Sequence, residues 1–73
     1  MDAQIAEVTI KAHLREIRRI LDSAAGIARA AEACSEVGEI GKAVQITHDI
    51  EQLLYEANTL LNAASLLTRL GDT

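Results

Sequence analysis

A chain of 73 residues with a net charge of −4 has room for one domain at most, and its acidity argues against generic attraction to nucleic acid or an anionic membrane. Hydrophobic residues make up 49% of it, yet Tyr55 is the only aromatic residue and proline is absent; such an Ala, Ile and Leu content suits long helices and suits sandwiches, barrels and stacking-based nucleic-acid binders poorly. A single core is marginal at this length, the lone Cys34 excludes an intramolecular disulfide, and the two histidines lie far apart, so oligomerisation is the expected reinforcement.

The first predicted element is a helix over about residues 3–35. Ile10, Ile17, Ala24 and Ala31 recur every seven residues, with Leu14, Leu21 and Ala28 on one side and Ala6, His13, Ile20, Ile27 and Cys34 on the other. Together they make a broad apolar face, bulky up to Leu21 and small from Ala24 onward. Asp22, Ser23 and Gly26 offer an alternative break that would give three helices, since Asp or Ser caps a helix and glycine weakens one by ~1 kcal/mol. The apolar phase nevertheless runs through Gly26 without a slip.

Between Ser35 and Gly41 both apolar stripes lose their phase, and Gly38 and Gly41 fall there, which places a turn. Either glycine can adopt the left-handed conformation that ends a helix, and Val37 and Ile40 are expected to cover the end of the hairpin. A second helix is predicted over about 42–70, stopped by Gly71. Its apolar residues Ala43, Ile46, Ile50, Leu53, Ala57, Leu60, Ala64 and Leu67 alternate steps of three and four, and Leu54 and Leu61 widen the stripe.

Two helices of ~40–50 Å each joined by a short turn predict an all-α, antiparallel helical hairpin occupying residues 1–73, dimerising into a four-helix bundle. The small end of the first helix is set to face Ile46, Ile50 and Leu53, and its bulky end to face Ala57, Leu60, Ala64 and Leu67. Ile10, Leu14, Ile17, Leu21, Ile46, Ile50, Leu53, Leu54, Leu60, Leu61 and Leu67 are the candidate interface residues. No stretch approaches the ~20 apolar residues of a membrane span, and the amino-terminal residues, with Asp2 and Glu7, do not read as an export signal. A cytoplasmic protein without membrane partners is expected.

Four features bear on chemistry. His48, in Thr47-His48-Asp49-Ile50-Glu51-Gln52-Leu53-Leu54, falls opposite the apolar stripe. This run resembles the phospho-acceptor box of histidine-kinase dimerisation domains, which are themselves dimeric helical hairpins. The resemblance implies His48 as phospho-acceptor, Asp49 as the neighbouring acid and Gln52 in the place of the residue that orients water for dephosphorylation. The proline or asparagine usual after the box is missing, and His48 lies on the second helix instead of the first. The second feature, His13 with Glu16 and His48 with Glu51, puts possible ligands on adjacent turns. The order is the reverse of the Glu-x-x-His of di-metal bundles, and further inward carboxylates are lacking; no metal is expected.

Third, Lys11, Arg15 and Arg18, with Arg19 alongside, form a basic ridge that brings residues 11–19 to +3 and leaves −7 for the rest. Such a ridge can track phosphates, and in plan the chain is similar to the plasmid copy-control hairpins that bind paired RNA loops. The competing reading is a solvated face whose arginines pair with Glu16, Asp22 and acidic residues of the second helix. Fourth, Cys34 has no neighbouring base to lower its pKa and packs as a small apolar residue.

No serine, threonine or cysteine stands beside an activating base, and there is no glycine-rich phosphate loop and no pair of carboxylates in a pocket. Enzymatic activity is not expected. A core filled by Leu, Ile and Ala leaves little room for a cofactor, and none is expected; a gap beside Gly26 and its small neighbours stays open to a small ligand. The expected function is that of an interaction module, which self-associates or shields the amphipathic helix of another protein. In size, charge and hairpin plan the chain also resembles the co-chaperones of type III secretion needle subunits.

Overall fold

The structure, a computed structural model, describes residues 2–71, which form two helices: α1, Ala3–Glu36, and α2, Ile40–Gly71. They pack against each other as an antiparallel hairpin 55 Å long and 14 by 11 Å across. There is no strand among the described residues, and no helix is long and apolar enough to cross a membrane.

Local chemistry accounts for both ends of α1. Asp2, extended at ψ 124°, lets its carboxylate Oδ1 accept from the backbone N–H of Gln4 at 2.7 Å and of Ile5 at 3.4 Å; this satisfies two of the donors that a helix start leaves unpaired. At the other end the Gly38 N–H donates to the Ser35 carbonyl and the Glu39 N–H to the Cys34 carbonyl, each at 3.0 Å. That is the paired arrangement of a Schellman cap, and it places Gly38 at the left-handed position, with φ +86°. The Ala43 N–H already bonds to the Glu39 carbonyl at 3.0 Å, so α2 starts directly after the cap. Only Val37, Gly38 and Glu39 join the helices, too short a link for any but an antiparallel return.

Several sequence expectations need correction. The second helix begins at Ile40, two residues early, so Gly41 lies inside α2 and Gly38 alone makes the turn. Val37 and Ile40 do not cover the end of the hairpin; both side chains are exposed. The break at Asp22 to Gly26 does not occur, because α1 is continuous and the Arg18–Asp22 pair lies along it. Gly71 lies within α2, Ile40–Gly71, as its last described residue, and a Cβ added there would stand 3.2 Å from the Ala6 Cβ. It is a small residue at a close approach of the two helices.

The core is thinner than the apolar content suggests. Buried residues are Ala6, Ile20, Ala24 and Ala31 on α1 and Ala43, Ala57 and Ala64 on α2. On α2 they fall on one seven-residue series that Gly71 continues, and on α1 they occupy the two rows that face it. The register puts Ala6 beside Gly71, Ile20 in one groove with Leu60 and Ala31 in one groove with Ala43. Small side chains thus line the seam, and among the described residues Ile20, 2% exposed, is the one large side chain fully enclosed.

Candidate interaction surface

None of the eleven candidate interface residues is buried within the hairpin. Ile10, Ile17, Ile46, Ile50, Leu53, Leu60 and Leu67 are half-buried along the seam, while Leu14, Leu21, Leu54 and Leu61 are exposed. The difference follows from helical geometry. Ile10 and Ile17 share a row with Ala24 and Ala31, Ile50 shares the row of Ala43, Ala57 and Ala64, and Ile46, Leu53, Leu60 and Leu67 flank that row on one side; Leu14, Leu21, Leu54 and Leu61 stand on the rows of the other side, where a single partner helix does not reach.

Those outer rows lie on one side of the hairpin. Glu7 shares a groove with Thr68 and Ala28 shares one with Thr47. Steps of seven carry Glu7 through Leu14 and Leu21 to Ala28, and Thr47 through Leu54 and Leu61 to Thr68, so the four leucines stand between these two grooves on the same flank. They form a patch in the middle of the hairpin, Leu14 near the level of Leu61 and Leu21 near that of Leu54, each between 44% and 52% exposed. Val44, also exposed, extends the patch towards the turn beside Ala28 and Thr47.

The other flank is different in character. Its groove is lined by Glu16, Tyr55, Glu56, Thr59 and the edges of Ile20 and Leu60. The same seven-residue steps place Thr9, Glu16 and Ser23 of α1 and Lys42, Asp49 and Glu56 of α2 on that side. One flank is therefore leucine-rich and the other carries carboxylates and hydroxyls, an asymmetry that a pattern for one helix does not show.

The basic ridge is largely neutralised within α1. Lys11 pairs with Glu7 at 3.0 Å, Arg18 with Asp22 at 3.9 Å, and the Arg19 Nε donates to the Glu16 carboxylate at 3.0 Å. The Arg19 hydrogen bond holds the Glu16 carboxyl below its ordinary pKa, and the same bond raises that of the guanidinium. Glu56 of α2 adds a smaller attraction on Arg19; Arg18 and Arg19 thus pair with the partners that the competing reading names, and Lys11 pairs with Glu7, which that reading does not name. Arg15 is exposed on the same helix.

His48 is exposed on α2, as its position opposite the stripe implies, and Asp49 beside it is exposed too. The Gln52 side-chain amide donates to Glu56 at 3.3 Å, which turns it along its own helix. His13 and Cys34 are half-buried on the inner face of α1. Among the described residues no group of three or more His, Cys, Asp or Glu is arranged to hold a metal ion. Beside Gly26 an added Cβ would meet Arg29 Nη2 at 3.7 Å, ordinary contact with the end of a flexible side chain. No protein-family model, curated protein or solved structure matches this chain.

Proposed function

We propose that the chain is a non-enzymatic helical interaction module whose leucine flank is covered by other helices, most simply as half of a four-helix bundle. One observation carries this reading. Among the described residues the hairpin encloses a single large side chain, Ile20, and leaves Leu14, Leu21, Leu54 and Leu61 open on one flank. Alanines contribute little to a core, because each buried methylene is worth only ~0.8 kcal/mol, and a chain of this length needs a larger apolar core or an external partner. An exposed, contiguous leucine patch is the usual mark of a protein contact. The charged side chains of α1 pair mainly within that helix, so they leave the flank to apolar contact.

Sedimentation equilibrium at micromolar concentration, with helicity followed by circular dichroism, tests the proposal. Association, or folding only when a helical partner is added, supports it. A monomer that unfolds cooperatively at a midpoint independent of protein concentration refutes it.

A further inference from the structure

We infer that the occupant of the leucine flank is a second copy of this chain, packed so that the two turns lie at opposite ends of the dimer. The inference rests on the interaction-module reading above and goes beyond it in naming the partner and its direction. Three observations carry it. The first is the place of the patch. Leu14 with Leu61 and Leu21 with Leu54 make two adjacent levels near the middle of a hairpin 55 Å long. A two-fold axis through the patch, perpendicular to the helices, lays Leu14 near Leu21 of the second copy and Leu61 near its Leu54. The patch is thus complementary to itself, as a two-fold interface requires, and the two hairpins overlap along their whole length.

The second is charge. Around the open end, residues 2–20 and 57–71, Lys11, Arg15, Arg18, Arg19 and Arg69 stand against Asp2, Glu7 and Glu16, a net of +2. Around the turn, residues 21–56, Arg29 and Lys42 stand against Asp22, Glu32, Glu36, Glu39, Asp49, Glu51 and Glu56, a net of −5. The alternative two-fold, parallel to the helices, superimposes two acidic ends. The perpendicular axis sets each acidic end on a basic one, and such complementarity selects the direction of packing. The third is size. A side 55 Å long and 14 Å wide offers about the ~800 Å² per partner that a standard specific interface buries.

The test uses the full chain with Cys34→Ser and a spin label on Glu36→Cys, an exposed position at the end of α1. Pulsed electron resonance is expected to give a label-to-label distance of about 50 Å, twice the rise from the middle of the hairpin to residue 36. A dimer with the labels within about 25 Å, as neighbouring helix ends of one bundle would place them, overturns the inference. Leu21→Glu and Leu54→Glu are expected to weaken the dimer at least about a hundredfold by burying unpaired charge, whereas Tyr55→Glu on the other flank leaves it intact. The reverse pattern also overturns it. A chain that stays monomeric and poorly helical at every concentration, and gains helicity only when a different helical partner is added, overturns the second copy as occupant and leaves the interaction-module reading standing. A stably folded monomer removes both.

Discussion

Replacing Ile20 by alanine removes the one large side chain among the described residues that the hairpin encloses, at 2% exposure. Three carbon atoms leave the seam, worth ~2.4 kcal/mol at ~0.8 kcal/mol each. A cavity adds to that when it stays empty. Here the adjoining groove of Glu16, Tyr55, Glu56, Thr59 and Leu60 borders the site, so water and neighbouring side chains can enter, and the total should stay at the low end of the ~2–5 kcal/mol range for such truncations. A loss of about 2.5–3 kcal/mol lowers the melting temperature of a domain this small by at least about 10 °C. Urea and thermal unfolding, followed by circular dichroism at one fixed protein concentration, measure it. Leu66→Ala is the comparison. It removes an exposed leucine that lies off both the seam and the leucine flank, and it should cost less than about 0.5 kcal/mol. If Ile20→Ala costs under about 1 kcal/mol, or no more than Leu66→Ala, the alanine seam with Ile20 as its anchor is wrong.

The glycines separate by backbone and contact. Gly26→Ala places its methyl in ordinary contact with the Arg29 side chain and should raise stability by about 0.5–1 kcal/mol, whereas Gly38→Ala forces a Cβ into the left-handed turn and should cost about 1–2 kcal/mol; urea midpoints of the two variants should move in opposite directions. Asp2→Ala removes the acceptor for the Gln4 and Ile5 amides and should cost about 1 kcal/mol, with faster hydrogen exchange confined to the first turn of α1. Because Arg19 holds the Glu16 carboxyl below its ordinary pKa, the ion pair stabilises the fold at neutral pH, and that contribution is lost as pH falls from the ordinary Glu range through the lowered value. Arg19→Gln should move the Glu16 titration, followed by carboxyl NMR shifts, upward; an unchanged titration would show that the pair does not persist in solution.

The all-α hairpin, the start of α1 and the turn region were legible in the sequence because each depends on neighbours along the chain. Seven-residue periodicity survives without tertiary contact, and glycine marks where phase is lost; the capping of α1 by Asp2 emerged only from its bonds to the Gln4 and Ile5 amides. Asp22 and Gly26 were ambiguous by the same local rules, and the continuous apolar phase was the better guide. That some apolar side chains must stay outside the hairpin was implicit in the width of both apolar faces, though not which ones, and the pairing of Arg18 with Asp22 and of Arg19 with Glu16 was implicit in their spacing.

What the sequence could not settle was which members of a broad apolar face close the seam. Periodicity counts Ala31 and Leu14 alike, but the short link from Val37 to Glu39 and the close approach of Ala6 and Gly71 go with a register in which Ala6, Ile20, Ala24 and Ala31 meet Ala43, Ala57 and Ala64 and the leucine rows stand outside. The same register makes Gly71 a point of close packing, exposes Val37 and Ile40, and gathers the outer leucines onto one flank. Composition and period determined that two amphipathic helices form and fold back on each other. Only their packing decided which side chains remain outside, because a helix row is buried or exposed according to where the second helix lies across it.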